Sequence, residues 1–182
     1  MIVLASSSER RINLLKDAGI QFDVVPSEIE ETFDDKLNPE ENAMRISRLK
    51  ALDVFSNRSD DIVIAADTIV VYQNKIFGKP KNNEDAFLML KMLSNKTHDV
   101  ITGVTIVSKK KTETFYSKSK VSFKDLTDDQ INEYIKTGEP FGKAGSYAIQ
   151  GLGKKLIETY QGDFFTIIGL PLKDVLEKLA TF

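Results

Sequence analysis

IVIAADTIVVY, at Ile62–Tyr72, is the stretch that decides the fold. Nine of its eleven residues are apolar, which predicts a strand buried in a sheet. Asp67 interrupts this run, and a buried carboxylate is costly unless a cation, a metal or hydrogen-bond donors face it. Two interpretations follow. Asp67 is a site residue, or it is a strand-end carboxylate that pairs with a structural lysine.

The segments on either side of this stretch alternate between the periods of strands and helices. Two strands, at residues 100–107 and 112–123, form an antiparallel pair joined at three exposed lysines, so the predicted sheet is mixed. The whole pattern predicts an α/β fold. The other predicted elements are an apolar run at 2–5, a helix that ends at Gly19, a strand at 22–25, a helix capped by Asn38 that runs from Pro39 to about Phe55, a turn at 73–75 leading to Ile76-Phe77, helices at 83–93 and 127–137, a strand at 156–160 and a last helix at 172–179.

Composition excludes several classes of function. The 182 residues include 25 Lys and Arg against 27 Asp and Glu, and a net charge of −2 argues against a nucleic-acid partner. With no cysteine and one histidine, His98, the chain has no disulfide, no zinc ribbon and no two-histidine metal centre. We interpret His98 as structural. No membrane span and no signal peptide stand out, so we expect a soluble cytoplasmic protein of one domain, residues 1–182.

A first anomaly lies at the junction between the first apolar run and its helix, where Ser6 and Ser8 precede Arg10 and Arg11. Serines there can cap the helix, and the free N–H groups of its first turn can bind an anion. Cations in a first turn oppose the helix dipole, so a bound phosphate would make both arginines favourable. The alternative is that Glu9 and solvent screen them.

Three further positions combine a structural interpretation with a functional one. Lys50 lies on an apolar helix face, where it either extends to water or pairs with a phosphate or Asp67. Lys79 lies in a Gly-Lys-Pro turn and is otherwise an ordinary surface lysine. Gln150 lies in the glycine-rich segment 142–153, which is either a turn or a ligand-lining loop whose amide reads a base edge.

These anomalies coincide with signature blocks that resemble those of the Maf family. The blocks follow one another in the family's order over nearly the whole chain. They are LASSSERR at 4–11, AADT at 65–68, GKP at 78–80, residues 94–103, KAGSYAIQG at 143–151, Gly162-Asp163 and GLPL at 169–172. The chain departs from the family pattern at Glu9, where the family usually has Pro, and at Gly142, where it usually has Asp.

The resemblance implies a fold and an activity. The fold is a mixed twisted sheet flanked by helices, related to the inosine triphosphatase group, with a central cleft between two lobes. The activity is nucleoside triphosphate pyrophosphatase, and the Ala-Asp-Thr block resembles the branch that hydrolyses dTTP and UTP to the monophosphate and pyrophosphate. The resemblance extends the substrates to modified pyrimidine nucleotides. The family is also described as septum formation inhibitors, so the resemblance further implies a homodimer and a role in cell division arrest.

The resemblance also implies roles for individual residues. Asp67 is the proton acceptor, and Asp67 and Glu31 lie at a divalent metal, for which oxygen ligands favour Mg²⁺ or Mn²⁺. The predicted substrate-binding residues are Ser6, Ser8, Arg10, Arg11, Lys50, Thr68, Lys79 and Gln150. Among these, Arg10, Thr68 and Gln150 match positions that govern substrate choice, and Lys50 and Lys79 match lysines that hold the triphosphate.

Two rival functions use the same residues. A nucleotide-sensing protein that acts on septum formation would bind without turnover. A second enzyme would hydrolyse modified purine triphosphates. Turnover separates the first rival from the pyrimidine pyrophosphatase, and the order of substrates separates the second.

Overall fold

The computed structural model describes residues 1–182, which form seven strands and six α-helices. The strands are β1 Ile2–Leu4, β2 Asp23–Val24, β3 Ile62–Tyr72, β4 Lys75–Phe77, β5 Thr97–Val107, β6 Thr112–Phe123 and β7 Ile157–Gln161. The helices are α1 Glu9–Asp17, α2 Pro39–Asn57, α3 Asn83–Leu93, α4 Asp128–Lys136, α5 Phe164–Ile168 and α6 Leu172–Leu179. Short 3₁₀ turns lie at Ala144–Ser146 and Leu152–Leu156.

The seven strands form one mixed sheet, as the sequence predicts. Its order is β2-β1-β3-β5-β6-β7, and β4 pairs with β3 outside this path. β1 is parallel to β2 and β3, whereas β4 and β7 are antiparallel to their partners β3 and β6. Gln73 and Asn74 make the β3–β4 turn with positive φ at both residues, which suits the twist of a tight hairpin. The predicted α/β fold, a mixed sheet with helices, is confirmed.

The chain divides into two compact units. The first comprises Met1–Thr68, Thr102–Ser117 and Gly169–Phe182, and the second comprises Ile69–Ile101 and Lys118–Ile168. A core cluster of the first unit gathers valines and alanines from β1, α2, β3 and β5. In the second unit α3 packs against α4. The expectations of one domain and of a central cleft stay predictions.

Helix α2 carries Lys50, and two features fix its position. Asn38 accepts a hydrogen bond from Glu41 N, and the Glu41 side chain accepts one from Asn38 N, which completes the predicted cap. On β5, a side chain at Gly103 would overlap the backbone carbonyl of Ala43. Only glycine therefore lets this helix approach the strand so closely.

Besides shifts of one or two residues at other element ends, three differences between the sequence prediction and the structure stand out. β5 begins at Thr97 instead of residue 100. The polar residues at the start of the strand concealed this extension, although His98 among them is buried. The last strand is Ile157–Gln161, one residue later than predicted. Helix α5 was not predicted; the Asp163 carboxylate accepts from Thr166 N and so caps it. No helix of the protein is both long and apolar enough to cross a membrane.

Candidate active site

Asp67 is the centre of the candidate site in the first unit. It lies on β3 and is 5% exposed. Its Oδ1 accepts a hydrogen bond from Lys50 Nζ at 3.1 Å. Its Oδ2 is buried and has no hydrogen-bond partner in the protein. Since buried carboxylate oxygens are normally satisfied, this oxygen is suited to a group that arrives from outside the chain.

Lys50 joins Asp67 to a second carboxylate. Its Nζ lies 2.7 Å from Glu31 Oε1 and 3.1 Å from Asp67 Oδ1, and its side chain is 12% exposed. Of the alternatives that the sequence left open, the structure shows Lys50 paired with Asp67 rather than extended to water. Asp67, Lys50 and Glu31 thus form one charged cluster, which is named the carboxylate–lysine trio below.

Burial raises the pKa of Asp67 above its ordinary value. The Lys50 ammonium opposes this effect, the Glu31 carboxylate adds to it, and the Arg11 guanidinium opposes it. A carboxylate with a raised pKa accepts a proton more readily than one in water. The environment of Asp67 therefore suits a general base.

Arg11 connects three segments of the first unit through its guanidinium. Its Nε donates to Gly169 O at 2.7 Å, and Nη1 donates to Ser6 Oγ at 3.3 Å. Nη2 donates to Thr68 Oγ1 at 3.0 Å. Burial lowers its pKa from 12.5 to about 10, so it stays charged at neutral pH. Arg11 holds Thr68, the residue next to Asp67, in place.

Thr68 and Ser6 are both tied to Arg11, whereas Ser8 is not. The Thr68 hydroxyl also lies 2.9 Å from that of Thr102. Ser6 Oγ accepts from Ser8 N at 3.2 Å in addition to Arg11. Ser8 is the residue before α1, but its side chain makes no capping hydrogen bond. The expectation that the serines here cap the helix is not met by Ser8; instead Ser6 Oγ accepts from Ser8 N, just before the helix begins.

Arg10 and Glu9 belong to the first turn of α1, as predicted. Glu9 is the residue at which the chain departs from the family's usual Pro. Arg10 is half-buried and Glu9 is exposed. The structure therefore brings together two groups in the first unit: Ser6, Arg11 and Thr68 by hydrogen bonds, and the carboxylate–lysine trio by ion pairs.

Lys79 and Gln150 belong to the second unit, and both are exposed. Gly145 N donates to Gly78 O at 3.1 Å, which ties the glycine-rich segment to the turn that carries Lys79. Gly145 itself has a φ of +68°, and Gly142 has a φ of +78°, as the predicted glycine conformations require. The substrate-binding roles of both residues stay predictions.

Two residues of the second unit escaped the sequence prediction. Tyr134 and Glu139 bond to one another and to the backbone on both sides of Gln150. Glu139 lies just beyond the predicted helix at 127–137, where no periodic pattern continues. The one available signal was a buried tyrosine on an amphipathic helix, because such a hydroxyl needs a partner.

His98 is structural in the sense predicted. It is buried, its Nε2 lies 2.6 Å from Tyr147 Oη, and its ring packs edge-on against Phe123. Burial lowers its pKa from 6.5 to about 4, so it is neutral at physiological pH.

The residues that remain for a metal are the two carboxylates of the trio. No group of three or more His, Asp or Glu side chains is arranged to hold an ion. Mg²⁺ commonly uses one or two protein carboxylates together with substrate phosphates. The unpartnered Asp67 Oδ2 and the nearby Glu31 carboxylate fit that pattern.

A family model and two named relatives match the whole length of this chain. The family model described as Maf-like protein matches residues 1–182. A Bacillus cereus protein named dTTP/UTP pyrophosphatase is 46% identical over 181 residues, which cover 100% of this chain and 95% of the relative. A Bacillus anthracis protein of the same name is 45% identical with the same coverage. Among solved structures, the Staphylococcus aureus Ham1 protein matches at a TM-score of 0.47 and 20% identity, covering 68% of this chain and 72% of that one.

Proposed function

This chain belongs to the Maf-like protein family, and we propose that it hydrolyses dTTP and UTP between the α- and β-phosphates. The products are the nucleoside monophosphate and pyrophosphate. The observation that carries the proposal is the buried, unpartnered Oδ2 of Asp67. Full-length relatives that carry the name dTTP/UTP pyrophosphatase support the choice of substrate.

Asp67 is the general base. Lys50 occupies Oδ1, so Oδ2 is the oxygen free to take a proton from the attacking water. The water oxygen forms a bond to the α-phosphorus, the bond from that phosphorus to the bridging oxygen breaks, and pyrophosphate leaves with the electron pair. The ion pair with Lys50 holds the carboxylate in one orientation for this transfer.

Cationic side chains stabilise the charge that develops on the triphosphate. Arg10 and the first-turn N–H groups of α1 bind the phosphates, with Ser6 and Ser8 at the same junction. Lys79 is a further cation for the triphosphate. Arg11 acts mainly by holding Thr68 and Ser6, since its guanidinium already bonds to both.

The Asp67 and Glu31 carboxylates would hold a divalent cation, Mg²⁺ or Mn²⁺, while Oδ2 of Asp67 stays the oxygen that takes the proton. When bound, such an ion supplies neutralisation of phosphate charge and activation of water. Lys50 then remains as the positive partner of the two carboxylates. Removal of divalent ions with EDTA is expected to stop turnover, and addition of Mg²⁺ or Mn²⁺ to restore it.

Gln150 and Thr68 select the nucleotide. The amide of Gln150 has donors and an acceptor, which match the ring N–H and carbonyl groups of uracil and thymine. Cytosine presents a different pattern of hydrogen-bond donors and acceptors on the same edge. A comparison of UTP with CTP is therefore the most direct test of this role.

The proposal is tested by pyrophosphate release from dTTP, UTP, CTP, 7-methyl-GTP, ITP and the common purine triphosphates, each with Mg²⁺ or Mn²⁺. Metal-dependent release led by dTTP and UTP is the expected result. Binding without release would favour a nucleotide sensor, and release led by ITP would favour a modified-purine enzyme.

We further propose that the protein is a cytoplasmic homodimer that acts on cell division through the nucleotides it removes. Light scattering after size-exclusion chromatography tests the oligomeric state, and cell fractionation tests the location. Overproduction of an inactive Asp67→Asn chain tests the division role, since an effect that needs turnover is lost in that variant.

A further inference from the structure

Gln150 is an exposed residue whose backbone is fixed on both sides by one hydrogen-bonded pair. We propose that Tyr134 and Glu139 are positioning residues that hold Gln150 in place and thereby set the preference for a uracil-like base. This inference rests on the proposed function, in which Gln150 reads the base. It assigns a task to two residues that neither touch the reacting phosphates nor carry a sequence signature.

The Glu139 carboxylate holds the chain that follows Gln150. Its Oε2 accepts from Leu152 N at 2.8 Å, and its Oε1 accepts from Gly153 N at 2.9 Å. Two successive backbone N–H groups thus point at one carboxylate. Charge-assisted bonds of this kind are about twice as strong as neutral ones.

The Tyr134 hydroxyl holds the chain that precedes Gln150. It donates to Glu139 Oε1 at 2.8 Å and accepts from Ala148 N at 3.2 Å. Residues 148 and 153 are therefore joined by a continuous series of hydrogen bonds through two side chains. Gln150 lies between the two attachment points, so the pair restricts the movement of its backbone.

The space around the pair explains the Gly151-Leu152-Gly153 sequence, which does not match a dinucleotide-binding fingerprint. A side chain at Gly153 would lie 2.7 Å from Tyr134 Oη and 2.5 Å from Ala148 O. A side chain at Gly151 would overlap the Glu139 carboxylate. Both glycines let the loop lie directly on the pair. The two glycines and the pair therefore hold the loop together.

Glu139 stays ionised in this setting. Partial burial acts to raise its pKa, but the N–H groups of Gly153 and Leu152 and the Tyr134 hydroxyl outweigh burial and lower the pKa. The carboxylate therefore accepts all three bonds across the physiological range. A glutamine at 139 would replace one acceptor oxygen with an NH₂ group that faces a donor, so at least one bond is lost.

An ordered loop matters for base selection because a mobile backbone at Gln150 would let its amide shift to meet cytosine as well as uracil. Fixing the loop before binding also removes the entropy cost of ordering it in the complex. We therefore expect loss of the pair to act on KM and on the ratio of substrates, and much less on kcat.

The test compares Glu139→Gln and Tyr134→Phe with wild type, using kcat and KM for UTP and CTP. Glu133→Gln is the matched control, because Glu133 is exposed and lies on the same helix as Tyr134. We expect the UTP-to-CTP ratio of kcat/KM to fall by roughly tenfold in Glu139→Gln and by about threefold in Tyr134→Phe, through KM. The control should keep the wild-type ratio.

A binding measurement separates failure of this inference from failure of the proposed function. Calorimetry with non-hydrolysable α,β-methylene analogues of UTP and CTP gives the same preference from binding alone. If wild type prefers the uridine analogue without hydrolysing UTP, the proposed function fails and the inference is still decided by the variants. If wild type has no base preference in either assay, both fail.

Amide hydrogen exchange gives a direct readout of the loop. We expect faster exchange at Ala148, Leu152 and Gly153 in Tyr134→Phe or Glu139→Gln, with the rest of the chain unchanged. Should Glu139→Gln not fold, Tyr134→Phe alone decides the question. Folded variants that keep the wild-type substrate ratio and the wild-type exchange at these three amides would overturn the inference.

Discussion

Asp67 and Glu139 are both carboxylates in contact with the protein's own donors, yet their surroundings differ. Asp67 is buried with one oxygen unpartnered, and burial raises its pKa. Glu139 is half-exposed, both of its oxygens accept hydrogen bonds, and these bonds lower its pKa. The difference teaches that a buried carboxylate with an unpartnered oxygen is suited to chemistry. A carboxylate whose two oxygens both accept hydrogen bonds is suited to holding the chain.

The largest expected effect comes from removing the base. Asp67→Asn keeps the shape of the side chain but cannot accept the proton, so kcat should fall by about 10³-fold or more. Binding of an α,β-methylene dTTP analogue, measured by calorimetry, should persist. Asp125→Asn, a change at an exposed aspartate, is the control and should leave kcat unchanged. Wild-type kcat in Asp67→Asn would contradict the role of base.

The next effect tests the cation of the trio. Lys50→Met leaves Asp67 and Glu31 without their shared partner, so kcat/KM for dTTP should fall by about 100-fold. The free energy of unfolding, measured with urea, should fall as well, because two carboxylates then face one another. Adding Glu31→Gln to Lys50→Met should recover part of that stability. A double variant no more stable than Lys50→Met would show that the ion pairs are not coupled.

A smaller effect concerns the neutral His98 of the second unit. Well above pH 6.5 both folded and unfolded chains hold this histidine neutral, so it contributes no pH dependence there. As pH falls below 6.5 the unfolded chain gains a proton that the folded chain refuses until about pH 4, so folding stability decreases. Between pH 8 and pH 5 the loss should be about 2 kcal/mol.

Urea unfolding at the two pH values measures this loss, and His98→Gln supplies the comparison. The variant keeps a polar group near Tyr147 but does not titrate, so its stability should change less between pH 8 and pH 5. Equal pH dependence in the two proteins would show that other groups dominate.

The smallest effect gives the baseline for a residue with a purely structural task. Asn38→Ala removes the cap of α2 and should lower the free energy of unfolding by about 1 kcal/mol. Turnover measured well below the unfolding temperature should not change. A large loss of turnover in this variant would mean that α2 transmits small disturbances to Lys50. Residues of the site and residues that only hold the fold would then be less distinct.

Much of the fold follows from local signals in the sequence. Asn38 with Glu41 and Pro39 predicts the start of α2, and the long apolar run predicts β3. The prominence of Asp67 is also a local signal, because one charged residue among nine apolar ones is conspicuous. Lys50 was visible but ambiguous, since its partner depends on how α2 packs on the sheet, which the helix periodicity does not specify.

What escaped prediction depends on contacts between distant segments or on backbone direction. Glu139 bonds to amides 13 and 14 residues away, and no periodic pattern links them. Helix α5 is too short for a helical period to emerge, although Asp163 was a possible cap signal. Ser8 occupies a capping position, but its side chain makes no capping bond, and the residue type alone does not reveal this.

The close contact between Gly103 and Ala43 has a consequence for protein design. It sets the spacing of α2 and β5 by backbone against backbone, so no repacking of neighbouring side chains can compensate for a larger residue there. Lys50 lies two turns further along the same helix, about 10 Å away along its axis. A designer who exchanges large core residues for others of equal volume has freedom at most buried positions but none at Gly103. Gly103 therefore fixes the spacing between its strand and the helix that carries Lys50.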